Sequence, residues 1–163
     1  KNNFDQLKKN YKRLNFVKIE NSAISINNEI NFLYKVDEKF LNYYDDHVPG
    51  ITSFNKNHLL KHGVKEKHIS KEKVKSISIK NLINKYNLKK LDLLYIDTEG
   101  YDGKIVLDFL KIKSLRPIII FEFIHIENIF FKKVIKTLIS SKYKFFSIKE
   151  NLICLPKNKF FFI

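Results

Sequence analysis

The chain has 163 residues, 44% of them hydrophobic and 14% aromatic, enough apolar material for the core of one domain and too much for a disordered tail. No uninterrupted apolar stretch reaches the roughly 18 residues of a spanning helix; the best candidate, 117–131, is broken by Glu122, His125, Glu127 and Asn128. The formal charge of +14 does not point to nucleic acid, because only Arg13 and Arg116 among 31 basic residues carry the guanidinium fork that reads bases and phosphates, and the lysines are spread along the chain.

Cys154 is the only cysteine, which excludes an internal disulfide and a cysteine-based zinc site. Its apolar setting, Leu152-Ile153-Cys154-Leu155, marks a buried thiol, and a reducing, cytoplasmic address is the expectation. Methionine is absent throughout and the chain opens on Lys1-Asn2-Asn3, so the sequence reads as internal, with residues expected before Lys1.

Asn2 or Asn3 can cap a first helix whose stripe is Phe4, Leu7, Tyr11 and Leu14. Residues 16–24 are rich in strand formers. Ile30, Phe32, Tyr34 and Val36 alternate as a half-buried strand, and Asn27-Asn28-Glu29 reads as the hairpin turn between the two. Residues 37–50 form a polar and aromatic loop closed by Pro49-Gly50. A short helix through His58, Leu59 and Leu60 follows, then a strand over 74–79 and a helix through Leu82, Ile83 and Tyr86 ending near Asn87.

The second half is cleaner. Residues 91–96 are a nearly continuous apolar run ending at Asp97-Thr98-Glu99-Gly100. Asp102 can cap a helix with stripe Ile105, Val106, Phe109 and Leu110. A second run, 118–121, ends at Glu122, and Asn128 can cap a helix through Phe130, Phe131, Val134, Ile135, Leu138 and Ile139. Strands over 144–148 and 152–155 close the chain around a Lys149-Glu150-Asn151 turn. Alternating strands and helices predict an α/β layer architecture in one domain, with the two apolar runs as parallel strands buried on both faces.

In such sheets ligands bind beyond the carboxyl ends of the strands. Asp97, Glu99 and Glu122 stand there, with His125 three residues on, a set suited to acid–base work or metal binding. Bland readings exist for each neighbour: Glu99 or Asp102 can serve as a helix cap, Gly100 as the residue of a tight turn, and His125 as a semi-buried histidine. Capping does not account for Asp97, a carboxylate closing an apolar strand.

The segment Leu91-Asp92-Leu93-Leu94-Tyr95-Ile96-Asp97-Thr98-Glu99-Gly100-Tyr101-Asp102 closely resembles the strand-four signature of FkbM-type methyltransferases. The other landmarks fall in that family's order. Residues 4–14 look like the helix after strand two, and 17–25, ending Ala23-Ile24-Ser25, resemble strand three. Gly50-Ile51-Thr52-Ser53-Phe54 resembles the glycine and Ser-Phe element, 116–122 strand five, and Lys142-Tyr143-Lys144-Phe145-Phe146 the entry to the last hairpin. The resemblance implies a class I Rossmann-like sheet, mostly parallel with a C-terminal antiparallel hairpin. It implies S-adenosylmethionine as methyl donor and a hydroxyl of a sugar or natural product as small-molecule or glycan acceptor. It places Asp97 and Glu99 at the cofactor–acceptor junction, with the roles of base, metal ligand or acceptor hydrogen-bonder open; together with Glu122 and His125 from the strand-end reading they are the expected catalytic set. Ser22, Ala23 and Asp97 fall beside the cofactor, and Ser53, Phe54 and Tyr101 beside the acceptor. A divalent metal is compatible, but no ligand set is assigned.

The family's glycine-rich turn after strand one, and the acid after strand two, have no counterpart in this sequence. Residues 1–163 are therefore expected to be the C-terminal two-thirds of a methyltransferase domain, lacking the first two strands of the order 3-2-1-4-5-7-6. That loss leaves the 91–96 edge unpaired, and the isolated polypeptide is expected neither to fold stably nor to bind the cofactor. Two rival readings are a metal-dependent 3′–5′ exonuclease using Asp97 and Glu99, and a non-catalytic relative that binds glycans.

Overall fold

The computed structural model describes residues 2–26, 31–45 and 48–157. The expected turn at Asn27-Asn28-Glu29, Ile30, and the capping side chains of Asn2 and Asn3 lie outside them. The N-terminal part begins with helix α1 (Asn2–Tyr11) and the two-residue strand β1 (Ala23–Ile24). Strands β2 (Asn31–Val36) and β3 (Thr52–Ser53), helix α2 (Lys56–Lys61) and strand β4 (Ile69–Val74) follow. After β5 (Ser76–Ile77) and helix α3 (Ile79–Lys85) come β6 (Leu93–Ile96), α4 (Asp102–Phe109), β7 (Ile118–Glu122), α5 (Asn128–Ser140), β8 (Tyr143–Ile148) and β9 (Asn151–Pro156).

The largest sheet has the order β6-β7-β9-β8. β6 and β7 are parallel, with Leu93 opposite Ile118 and Ile96 opposite Phe121. β9 runs antiparallel to both β7 and β8. Three of the four strands thus share a direction, while two of the three pairings are antiparallel. The helices α4 and α5 join β6 to β7 and β7 to β8, as parallel-directed strands require. β2 pairs antiparallel with β3 and β4 in a separate three-stranded sheet, and β1 pairs parallel with β5.

Two apolar clusters follow from this arrangement. Ile96, Val106, Phe109, Ile119, Phe121, Val134, Leu138, Tyr143 and Cys154 form the larger one under the main sheet. Val36, Val48, Ile51, Leu59 and Val64 form the smaller one beneath β2. The apolar runs differ from the expected burial on both faces. In β7 only Ile119 and Phe121 are fully buried, and Ile118, Ile120 and Glu122 are half-covered. β6 is the sheet's edge, where Leu93 is 49% and Tyr95 57% exposed.

Several local expectations are corrected. Of residues 16–24 only Ala23 and Ile24 pair as a strand, and Phe16 is exposed. The expected hairpin between β1 and β2 does not form; β1 goes to β5, and β2 goes to β3 and β4. The strand expected over 74–79 divides between β4 and β5. Asp102 and Asn128 are the first residues of their helices, and no side chain caps either one. The short helix at His58, α3, and the β8–β9 hairpin form as expected.

Candidate active site

The turn between β6 and α4 is built around a buried acid. Asp102 is wholly buried, and its Oδ2 accepts from the Thr98 hydroxyl at 2.8 Å and from the Thr98 and Gly100 backbone N–H groups at 3.3 Å each. A carboxylate that takes three donors within five residues fixes the loop tightly. Glu99 is held at φ 51° and Gly100 at φ 94°. A Cβ on Gly100 would meet the His125 carbonyl oxygen at 3.4 Å, so the β6–α4 turn and the segment after β7 lie against each other.

The conformation turns the Glu99 side chain toward three histidines. Its Oε2 is 3.2 Å from His58 Nε2 and 3.8 Å from His125 Nε2. The Glu99 carbonyl accepts from Ser53 Oγ at 3.4 Å, tying β3 to the same turn. His58 lies on α2 and His62 ends it, one helical turn away. The imidazole centroids are 4.6 Å apart for His58 and His62, 4.8 Å for His58 and His125, and 5.5 Å for His62 and His125. His125 Nε2 in turn faces Glu122 Oε2 at 3.8 Å, a buried oxygen that takes no hydrogen bond.

These groups open onto a cleft of about 510 Å³, lined by Ser53, Phe54, His58, Glu99, Tyr101 and His125 among others. The rings of Phe54 and Tyr101 meet edge to face at 4.9 Å and form an aromatic wall. Lys61 and Lys104 stand at the margin, Lys104 Nζ lying 4.6 Å from the Tyr101 ring centre. Burial pushes the His58 pKa down despite the hydrogen bond to Glu99, and burial pushes the Glu122 carboxyl up against the opposing pull of His125. The cleft therefore joins a carboxylate, imidazoles and an aromatic wall, which suits it to receive a polar, proton-bearing ligand.

The methyltransferase FkbM domain profile matches residues 1–146. The chain belongs to that family. Neither a curated protein nor a solved structure matches it.

In this FkbM-domain protein the structure gathers Glu99, His125, Ser53, Phe54 and Tyr101 into one cleft, with Glu122 behind His125. Asp97 is not among the cleft's lining residues. It follows buried Ile96 and continues the exposed side of β6 marked by Leu93 and Tyr95, since strand side chains alternate. Its carboxyl is partly covered and lies near the charges of Glu99 and Asp102, and these raise its pKa in that order. Ser22 and Ala23 line a different depression, shared with Glu20, Glu72 and Lys85. The residues not singled out from sequence as site candidates are His58 and His62. Their signal was the four-residue spacing in His58-Leu59-Leu60-Lys61-His62, which sets two imidazoles on one face of a short helix.

Proposed function

We propose that this protein transfers a methyl group from S-adenosylmethionine to a hydroxyl of a sugar or natural-product acceptor bound in the cleft beneath α2. The observation that carries the reading is the convergence of Glu99 and His125 from two strand ends beside the Phe54–Tyr101 wall, within a chain of the FkbM family. An oxygen nucleophile must lose its proton as it attacks. Glu99 and His125 are the cleft groups suited to take that proton, while the aromatic wall packs against the acceptor's apolar face and Ser53 holds the Glu99 turn.

The main sheet's order supports a class I Rossmann-like reading. β6, β7, β9 and β8 correspond to strands four, five, seven and six, with the antiparallel seventh between five and six. We infer that the glycines beside the cleft do not cradle the sulfonium nucleotide. Gly100 serves the tight turn and Gly103 the packing of α4 on α5, so neither is free to let backbone approach a cofactor. In this reading the cradle comes from backbone that pairs with the open β6 edge. The exonuclease alternative gains nothing from the geometry, because Glu99 lines the cleft while Asp97 does not, and a helix with a parallel strand follows them.

The test is S-adenosylhomocysteine release by the gene product containing this chain, offered hydroxylated sugars and polyketides. Release is expected with hydroxyl acceptors and is expected to fall at least about tenfold in Glu99→Gln. Release with amine or thiol acceptors alone would sink the hydroxyl assignment. Calorimetry on residues 1–163 alone is expected to show no tight S-adenosylmethionine binding.

A further inference from the structure

Two imidazoles, His58 and His125, line the cleft and a third, His62, packs against both, and ordinary hydrogen bonding does not explain the three together. His58 has a partner in Glu99, but the His62 ring contacts are to the other two imidazoles. One potential ligand atom from each of His58, His62, Glu99 and His125 lies within 4.8 Å of every other. Ligands about 2.0–2.2 Å from a common centre stand about 3.3–3.6 Å apart in a tetrahedron, so side-chain adjustments of under about an ångström close the set.

We propose that His58, His62, Glu99 and His125 form a binding site for a first-row divalent transition metal ion. The donor set points to the ion's class. Three imidazoles with one carboxylate, and no thiolate, suit Zn²⁺, Fe²⁺ or Mn²⁺ better than Mg²⁺ or Ca²⁺, which take oxygen ligands. Placement fits as well. His58 and His62 come from one helix at the i, i+4 spacing that sets two histidines on one metal. Glu99 comes from a turn locked by Asp102, and His125 from the segment after β7, so three separately anchored elements supply the ligands.

The surroundings supply what a bound ion needs beyond its ligands. Glu122 Oε2, buried and lacking a hydrogen bond, lies 3.8 Å from His125 Nε2 and offers the second carboxylate that balances a divalent charge. His58, Glu99 and His125 also face the cleft, so an ion that expands from four ligands to five takes the fifth from an oxygen of the ligand there. With the ion bound, Glu99 and His125 hold it instead of taking the proton, and the metal in their place lowers the proton affinity of a coordinated hydroxyl. That use rests on the methyl-transfer reading, whereas binding of the ion does not.

The experiment is titration of chelator-treated protein with Co²⁺ and Zn²⁺, followed by Co²⁺ visible absorption and by competition with a chromophoric chelator. His62→Ala and His125→Ala are the chosen variants because both side chains are partly exposed, and circular dichroism checks that they fold. Lys61→Ala, which lines the same cleft without contributing a ligand, is the control. One equivalent bound by the wild type and by Lys61→Ala, with affinity at least about 10-fold weaker in each histidine variant, supports the site. No stoichiometric binding, or equal binding by folded histidine variants, overturns it. Failure of methyl transfer to hydroxyls would leave the metal titration unchanged, so the two readings are separable.

Discussion

Asp102 receives the Thr98 hydroxyl at 2.8 Å from a position with no solvent contact, and with that one carboxylate it shapes the turn that presents Glu99. Its other oxygen, Oδ1, is buried without a hydrogen bond. Replacing Asp102 by alanine orphans the Thr98 hydroxyl and two backbone N–H groups. The expected cost is about 2 kcal/mol or more, since each buried group left unpaired costs about 1–3 kcal/mol. Asp102→Asn keeps an accepting oxygen in place and is expected to lose about half as much. Urea unfolding midpoints with unchanged slopes measure both; an alanine variant within about 0.5 kcal/mol of wild type would mean that other contacts hold the turn.

The second half of the fold was legible because its signals were local. Residues 93–96 and 118–121 are uninterrupted apolar runs, and the helices that follow them keep one clean stripe each. The strand pairing of the first half was not, although α2 and α3 were, because its strands are two to six residues long and pair across long separations, as Asn31 does with Val74. Local pattern cannot choose between a neighbour in sequence and a partner that distant. The site divided in the same way. Glu99, Glu122 and His125 stand at strand ends, where any reader of α/β sheets looks. His58 and His62 sit on a six-residue helix, and only the tertiary fold brings them to Glu99. Asp97 falls outside this cleft because alternation along β6 sends its position to the exposed side, a matter of one residue's parity.

Gly103 marks the closest approach of α4 to α5. A Cβ there would come within 3.1 Å of Ile126 Cδ1, Phe130 Cε1 and Val134 Cγ2 together. Alanine gains about 1 kcal/mol of helix propensity over glycine, but three packed side chains must give way at once, and overpacking costs about 1–3 kcal/mol. Gly103→Ala is therefore expected to be destabilised by about 1 kcal/mol in urea. A stabilised variant would show that α5 can shift outward freely.

Cys154 offers a clean probe of global unfolding. It is the sole cysteine, fully buried on β9, and burial pushes its thiol up to about 12. At pH 8 only about one thiol in 10⁴ is ionised in the native state, and the thiolate is the reactive form. Native protein is expected to resist alkylation, with labelling accelerating in step with the urea unfolding transition. Rapid labelling in native buffer would mean that the β8–β9 layer opens locally.

Glu20 ties the segment before β1 to α3. Its Oε2 accepts from Lys85 Nζ at 2.5 Å and from the Tyr86 hydroxyl at 2.9 Å, and its Oε1 from Ser22 at 2.9 Å. These bonds, that from Lys85 first, lower its pKa from 4.5 to about 2. A carboxyl depressed on folding adds stability that is full above its unfolded pKa and disappears as pH falls through its folded one. The contribution is thus present above about 4.5 and lost toward about 2. Lys85 is 51% exposed, so solvent screening holds the gain to about 1 kcal/mol or less. At pH 7 Glu20→Gln is expected to melt up to about 2–4 °C below wild type. That gap should close as the two proteins are compared at successively lower pH down to 2.5, and should narrow in high salt. A gap that stays constant with pH would assign the effect to the geometry of the Ser22 and Tyr86 hydrogen bonds rather than to the charge.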